Sequence, residues 1–310
     1  MGRYKVIAGQ NIYDVALHLY GSVEGIVDLL MNNTSLSIDD DLQPGDELAY
    51  TDGFVINADV LAYNTRHNIV PAGGERNVYP KYFSFPLAAR FQLPGKAASA
   101  AFSVSGTGTL EVDWGDNSPV ETILLTGTGK RYSHLFDNDI RGVRGIRWFS
   151  DASFRIADWS GLKPERVFLY RPLPVEELTL RGCMSGIEAF PLLEGVYRID
   201  LQGSAVGSLV PLASLPALML LDLSGASVKP EQEDLYLKLL VEKYGSRRSC
   251  EVRLPVMPTG EYREPERDGN GRYRIVCGME AVWVILHEPA WNEGGAWKFI
   301  IEDKTYTVEE

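Results

Sequence analysis

The chain has 310 residues and a formal net charge of −12, with 45% hydrophobic and 23% charged residues. This length exceeds that of one typical domain, so we expect two to four globular modules. The acidic balance argues against a nucleic-acid partner, because phosphate binding needs clustered Lys and Arg. No apolar run approaches the roughly 20 residues of a membrane helix, so we predict no membrane span. The first twenty residues also lack the apolar core of a signal peptide.

The cysteines and histidines give no pattern typical of a disulfide framework or a metal site. Cys183, Cys250 and Cys277 are far apart and odd in number, so we expect them to be reduced and mostly buried. The four histidines form no HExxH motif and have no CxxC partner, so we predict no metal and no cofactor. One alternative is a catalytic thiol, since His287 follows Cys277 by ten residues.

The first fifty residues predict the order strand, helix, helix, strand. Residues 4–7 alternate like a strand, and Asn11 is a suitable N-cap for an amphipathic helix. Ser22 can cap a second helix with its own apolar side. Residues 42–50 then have the composition of a turn followed by a strand. We therefore expect two strands with both helices on one face.

This order and its wording resemble the LysM domain. The resemblance rests on V-x-x-G-Q-N-I-Y-D-V-A at 6–16, L-Y-G at 19–21, N-N at 32–33 and L-Q-P-G-D-E-L at 42–48. The segment Y-G-S-V-E-G-I-V-D-L-L at 20–30 is most similar to the LysM-like proteins of contractile phage tails.

The resemblance also implies a glycan groove between two loops. Amide and hydroxyl groups of these loops could hold N-acetyl sugars. The residues concerned are Gly9, Gln10, Asn11 and Ile12 in the first loop and Asn32, Asn33, Thr34, Ser35 and Leu36 in the second. The alternative is that the asparagines only cap helices and turns, which their chemistry favours.

Residues 51–98 carry no strong periodicity apart from a helical stretch near 58–64. Five aromatic residues fall within 79–91, whereas a flexible spacer is rich in Gly and Ser. We therefore predict that this aromatic stretch of the connector is extended and docked on a neighbouring module.

Residues 99–150 alternate with period 2 and contain Gly, Asn and Asp turns, which predicts antiparallel strands. The segments V-D-W-G-D-N-S at 112–118 and Y-S-H-L-F at 132–136 resemble PKD-type β-sandwiches. The resemblance implies a sandwich-like module. In it, we expect Asp116 and Asn117 to hold the turn.

Two other roles are open for the acidic residues of this module. Asp113 and Asp116 are candidates for a pair of catalytic carboxylates, as in glycosidases. Together with Asp137 and Asp139, they are also candidate calcium ligands. Neither spacing matches a known motif, so the structural turn remains the main interpretation.

Residues 151–255 contain a repeat. The pattern apolar, polar, apolar, polar, Gly begins at 178, 199 and 221, and it looks like an irregular leucine-rich repeat. A capping helix is expected at Pro230–Tyr244, ended by Gly245. Thr179, Asp200 and Asp222 are expected to face outward along one surface. Repeats of this kind bind protein partners there, and a role as a spacer is the alternative.

Residues 256–310 are predicted to form a small β segment, with strands at 274–286 and 296–308. Trp283, Trp291 and Trp297 are expected to pack in a core or an interface. Stacking on sugars is the alternative interpretation.

The predicted fold class is multidomain α+β. It comprises a βααβ LysM-like domain (1–50), a connector (51–98), an antiparallel β-sandwich-like module (99–150), a short leucine-rich-repeat solenoid (151–255) and a small C-terminal β piece (256–310). Each module is expected to have its own small core. No combination of nucleophile, base and oxyanion donor is evident, so we predict that the protein is not an enzyme.

Two functions are compatible with these patterns. The first is a structural protein of a phage or prophage tail, whose LysM-like end docks on other tail or assembly proteins. The second is a wall-associated protein that binds peptidoglycan through residues 9–12 and 32–36 and a protein partner through the repeats. The first would be cytoplasmic or virion-associated, so the sequence leaves the localisation undecided.

Overall fold

The computed structural model describes residues 1–73, 81–116, 118–136, 144–184, 186–243 and 247–308. Within these ranges the protein is a multi-sheet α+β fold with few helices and several antiparallel strand pairs. The chain divides into two compact units, unit 1 at Met1–Lys81 and unit 2 at Tyr82–Glu310.

Unit 1 is built around the predicted order strand, helix, helix, strand. Its elements are β1 (Gly2–Lys5), α1 (Ile12–Tyr20), α2 (Ile26–Asn32), β2 (Glu47–Tyr50) and α3 (Ala58–Arg66). The two strands pair antiparallel, with Tyr4 opposite Leu48. A small core lies between the strands and the first two helices. It consists of Val6, Ile12, Val15, Ala16, Tyr20, Ile26, Leu29 and Leu48.

The first helix begins and ends where the sequence predicts. Asn11 and Asp14 form a capping box, in which each side chain accepts a hydrogen bond from the other residue's backbone amide. Gly21 ends α1 with a left-handed φ of 71°. A Cβ atom at this position would collide with the carbonyl oxygen of Asn57. The close approach of two chain segments therefore requires glycine here.

The first part of the predicted connector belongs to unit 1. The amides of Ile56 and Asn57 both donate to the carbonyl of Tyr20, at 3.0 and 2.9 Å. The side chain of Asn57 then caps α3 by accepting a hydrogen bond from the Val60 amide. The helical stretch predicted near 58–64 is the core of this helix.

Unit 2 consists of two sheets with three helices in the described residues. Its strands are β3 (Leu87–Leu93), β4 (Ser99–Thr107), β5 (Thr109–Asp113), β6 (Glu121–Leu124), β7 (Lys130–Leu135), β8 (Arg144–Ser150), β9 (Ser153–Asp158), β10 (Arg166–Leu169), β11 (Leu173–Thr179), β12 (Leu193–Glu194), β13 (Arg198–Asp200), β14 (Leu220–Asp222), β15 (Glu251–Leu254), β16 (Lys298–Ile301) and β17 (Lys304–Thr307). Its helices are α4 (Pro230–Glu242), α5 (Gly278–His287) and α6 (Pro289–Asn292).

The smaller sheet is antiparallel, with the order β10-β3-β8-β5-β6. Strand β3, from the end of the predicted connector, lies in its interior between β10 and β8. Phe91 and Leu93 of β3 are buried, whereas Arg90 before them is exposed and Gln92 between them is half-buried. This period of two is that of a sheet with one face on the core.

The larger sheet contains a parallel ladder in the order β9-β11-β13-β14-β15-β16, extended by antiparallel strands at both ends. The predicted repeat segments supply three of its strands. Leu178, Ile199 and Leu221 stand in register, followed by Val252 and Phe299. All five side chains are buried, so each strand covers the apolar edge of the one before it.

A single hydrophobic core runs through unit 2, from Ala88 to Ile301. Trp148 of the smaller sheet touches Phe102 of the larger sheet at a ring-centroid distance of 4.8 Å, and Phe91 at 4.9 Å. The expectation of a separate core for each module is therefore wrong in this unit. The two sheets turn their apolar faces to each other, and neither face is buried without the other.

The predicted strand at 274–286 is also wrong, because residues 278–287 form helix α5. Its side chains are apolar on nearly every side, and α5 packs against α4. A short run that is apolar throughout has no period that separates a buried strand from a buried helix. The predicted end of α4 at Gly245 lies outside the described residues.

Candidate functional site

A cleft in unit 1 has a volume of about 770 Å³. Its walls are residues 8–13, which join β1 to α1, and residues 38–44, which precede β2. The predicted groove residues Gly9, Gln10, Asn11 and Ile12 are therefore part of it. The second predicted loop, residues 32–36, is not, and residues 38–44 take its place.

The polar side chains of the first loop are already bonded within unit 1. Asn11 Oδ1 accepts from the amide of Asp14 at 2.9 Å. Gln10, 4% exposed, accepts from the Tyr4 hydroxyl at 2.9 Å and donates to the Pro71 carbonyl at 2.9 Å. These groups fix the loop, and Gln10 also holds the chain that follows α3.

The second predicted loop is tied to β2 and to its own helix. Asn33 donates to the carbonyls of Leu29 and Ala49, both at 2.8 Å, and accepts from the Ala49 amide at 2.9 Å. Asn32 donates to the carbonyl of Asp28 at 2.8 Å. Both amide groups therefore serve as caps and turn clamps, the alternative that the sequence had left open.

The remaining residues of this loop divide between surface and core. Thr34 and Ser35 form an exposed turn. Leu36 is half-buried and packs against the core of unit 1. None of residues 32–36 lines the cleft.

The cleft itself combines apolar and acidic groups. Tyr13 and Ile38 are 42% and 45% exposed. On the wall opposite Tyr13, the acidic residues Asp39 and Asp41 are exposed. Asp40 between them accepts a hydrogen bond from the Ser37 amide at 2.7 Å. An aromatic ring beside hydrogen-bond acceptors suits a ligand that has both hydroxyl groups and an apolar face.

The predicted partner-binding residues occupy one row of the parallel ladder. Asp200 and Asp222 are 2% and 4% exposed, and Thr179 is half-buried, so the expectation that this row faces outward is wrong for both aspartates. Asp200 Oδ1 accepts from the amide of Gln202 at 3.1 Å, and Asp222 Oδ1 from that of Ser224 at 2.9 Å. Each carboxylate closes the turn that follows its strand.

The same carboxylates join neighbouring coils through a line of side chains. Arg181 donates to Asp200 through Nε, at 2.9 Å, and through Nη2. Gln202 donates to Asp222 at 2.7 Å, and Arg253 to Asp222 at 3.4 Å. Burial alone would raise the pKa of Asp222, but the hydrogen bonds from Ser224 and Gln202 and the charge of Arg253 lower it. Hence this line holds coils together.

The two aspartates considered as catalytic carboxylates have separate partners. Asp113 is paired with Arg147, whose Nε donates at 3.0 Å. Asp116 Oδ2 lies 2.5 Å from His134 Nε2, and its Oδ1 accepts from the Ser118 amide at 3.3 Å. Burial would raise the pKa of Asp116, but the bonds with His134 and Ser118 outweigh it and lower the pKa. The Asp116 carboxylate is therefore held ionised, and each of the two aspartates is bonded to its own structural partner.

Of the four candidate calcium ligands, Asp113 and Asp116 belong to the described residues. Asp137 and Asp139, like the turn residue Asn117, lie outside the described residues. Within the ranges that the structure covers, no group of three or more His, Cys, Asp or Glu side chains is arranged to hold a metal ion.

Cys183 and Cys250 are buried like small apolar residues, and Cys277 is half-buried. Burial raises the pKa of the Cys183 thiol to about 11 and that of Cys250 further, which suppresses the nucleophilic thiolate. Cys277 precedes α5 and His287 ends it. A helix of ten residues is about 15 Å long, so this thiol and this imidazole do not form a pair.

The tryptophans divide between the core and the surface. Trp291 and Trp297 are 6% and 2% exposed and touch each other at a centroid distance of 5.3 Å. Trp283 is half-buried and stacks on His287 at 4.1 Å. Core packing therefore accounts for the first two.

The second wall of the cleft, residues 38–44, was not predicted from the sequence. The signal that could have identified this wall is the acidic turn Asp39-Asp40-Asp41, which precedes β2. Because β2 pairs antiparallel with β1, the chain before β2 lies near the end of β1, where the first loop starts.

None of the helices in the described ranges combines the length and apolar character needed to cross a membrane. Comparisons with family models, with curated proteins and with solved structures found no match.

Proposed function

We propose that the protein is a non-catalytic structural component of a phage or prophage tail, and that unit 1 is the module that docks on other tail proteins. The observation that carries the proposal is the internal use of the polar groups in the predicted glycan loops. Gln10, Asn11, Asn32 and Asn33 all hydrogen-bond within unit 1. A loop fixed in this way offers a rigid surface to a protein partner but few free donors to a sugar.

The segment that follows α3 supports this role. Gln10 Nε2 donates to Pro71, and the Gly73 amide donates to Asp14 Oδ2 at 2.9 Å. The chain thus closes over the first loop from one side. In this proposal unit 1 is a LysM-like fold extended by residues 51–73 and adapted to docking.

The finer assignments in unit 2 belong to the same proposal. The pairing of β5 and β6 around the acidic turn supports a PKD-like module at 99–150. The register of Leu178, Ile199 and Leu221, at intervals of 21 and 22 residues, supports a leucine-rich-repeat-like solenoid. Both would serve as rigid structural elements within the assembly.

The test is to purify the tagged chain from its native host under mild conditions and examine the product by electron microscopy. Tail-like particles that carry the tag at a fixed position are expected. A tagged chain that is always free of particles, and that sediments with insoluble peptidoglycan, would contradict the proposal. Release of soluble peptidoglycan fragments over time would contradict the absence of catalysis.

The cleft between residues 8–13 and 38–44 favours a second candidate function, glycan binding. Its volume of about 770 Å³ lies in the range of small-ligand sites, roughly 300–1,000 Å³. Tyr13 would stack on a sugar ring, and Asp39 and Asp41 would accept hydrogen bonds from its hydroxyl groups.

NMR titration with chitin oligomers tests this candidate. Shifts confined to residues 8–13 and 38–44, reduced in Tyr13→Ala and retained in Tyr63→Ala on the exposed face of α3, would support it. Tyr63 is a suitable control because it is 57% exposed and lies outside the cleft walls. Shifts near residues 32–36 alone, or none at all, would remove it.

A further inference from the structure

A second cavity, of about 520 Å³, lies within unit 2 at the beginning of the parallel ladder. Its wall consists of residues 106–107 of β4, the hairpin at Gly127, the first residues of β9 and β11, and the end of β12 at residues 194–195. Phe154 and Val175, which pair across β9 and β11, supply an apolar floor and are each 1% exposed. The volume suits a side chain or a small molecule.

The backbone shapes this cavity. The register between β4 and β9 shifts after Ser105, and Gly106 has a φ of 154°. A Cβ at Gly106 would collide with the carbonyl oxygen of Ser153, so only glycine permits this bulge. On the far side, Arg155 Nη2 donates to the Gly127 carbonyl at 2.7 Å and fixes the hairpin. The cavity is therefore preformed.

The rim of the cavity carries more negative than positive charge. Glu176 and Glu194 are both exposed, and neither side chain has an ion pair or hydrogen bond among the residues that the structure describes. The single cation of the lining, Arg155, already donates to a carbonyl. The net charge of −12 adds a long-range attraction for cations.

We propose that this cavity receives a lysine side chain from a partner protein. The ammonium group would lie between Glu176 and Glu194, and the four-carbon stem would lie against Pro174 and the apolar floor. Two carboxylates are too few for a calcium ion, which takes about six to eight oxygen ligands. This inference goes beyond the proposed function, since it concerns unit 2 and holds whether or not the chain belongs to a tail.

The experiment uses the full chain and a lysine analogue, Nα-acetyl-lysine methylamide, followed by NMR titration at low salt. The expected shifts include the amides of Gly106, Gly127 and Gly195, all of which line the cavity. The norleucine analogue, which has a similar apolar body and no charge, is expected to give no binding. Added salt is expected to weaken the binding of the lysine analogue.

Two variants with the same change of charge separate the site from general electrostatics. Replacing both rim carboxylates, E176Q/E194Q, is expected to weaken binding about tenfold, since each exposed ion pair contributes a factor of roughly two to five. The control E165Q/E293Q removes two exposed glutamates that lie outside the cavity and is expected to remain within about twofold of the wild type.

The proposal is overturned if both variants bind the lysine analogue as the wild type does, or if both lose binding equally. It is also overturned if the norleucine analogue binds equally well, if shifts occur only away from the cavity, or if the wild type does not bind at millimolar concentrations. The unfolding temperature of both variants is measured as a control. A value equal to that of the wild type would show that a loss of binding is not caused by a loss of folding.

Discussion

Replacing Asp200 with alanine tests whether the buried row of the ladder holds the coils or recognises a partner. The carboxylate is 2% exposed and accepts hydrogen bonds from the Gln202 amide and from Arg181. If its role is structural, Asp200→Ala destabilises unit 2. If its role is recognition, the substitution leaves stability unchanged and affects only binding.

The structure gives the magnitude of the expected loss. The Gln202 amide, 3.1 Å from Asp200 Oδ1, loses its acceptor, which costs about 1 kcal/mol. Arg181 is 52% exposed, so solvent screening limits its ion pair to at most about 1 kcal/mol. Asp200→Ala is therefore expected to cost about 2 kcal/mol. Asp200→Asn retains an acceptor for the turn and is expected to cost about half of that.

Urea unfolding followed by tryptophan fluorescence is a suitable assay, because all six tryptophans lie in unit 2. The expected result is a lower midpoint with an unchanged slope. Asp158→Ala is the matched control: Asp158 accepts from the Ser160 amide at 2.9 Å and closes the equivalent turn with no ion pair in the described part, so about 1 kcal/mol is expected. A cost below about 0.5 kcal/mol for Asp200→Ala would refute the structural role.

Three further predictions concern the two cores and a buried acid. Gly21→Ala is expected to destabilise unit 1 by more than Gly53→Ala, measured by circular dichroism; both have φ above 70°, but only the Cβ at Gly21 meets a backbone oxygen. Leu221→Ala, at a site with 0% exposure, is expected to cost about 2–5 kcal/mol in urea unfolding, whereas Leu135→Ala, 81% exposed, stays within about 0.5. Burial raises the pKa of Glu233 from 4.5 to about 8, so between these pH values the folded protein keeps a proton that the unfolded chain releases. The free energy of unfolding therefore falls as pH rises, by up to about 1.4 kcal/mol per pH unit. Glu233→Gln is expected to flatten this pH dependence, and an unchanged slope would contradict the prediction.

Local patterns predicted those elements whose signals are contained in a few neighbouring residues. The capping box of Asn11 and the left-handed Gly21 set the limits of α1, and both are readable from residue type. The repeat at 178, 199 and 221 likewise placed three strands of the ladder in their observed register. Residues 9–12, which the resemblance to LysM domains places in a groove, line one wall of the cleft.

Contacts between distant segments decided the rest, because no local pattern encodes which faces meet. Residues 278–287 are apolar on nearly all sides, and packing on α4 makes them a helix where a strand was predicted. Asp200 and Asp222 alternate with apolar residues along their strands, as outward-facing residues do. In the structure Arg181 and Gln202 from neighbouring coils cover them.

The sequence by itself therefore determined the βααβ order, the strand periodicity, the ladder spacing and the turn residues. Only the tertiary structure placed β3 inside a sheet, joined the later modules through one core and set residues 38–44 opposite the first loop. The physical reason is that hydrogen-bond and side-chain periods act within a few residues, whereas burial depends on which apolar surface lies opposite.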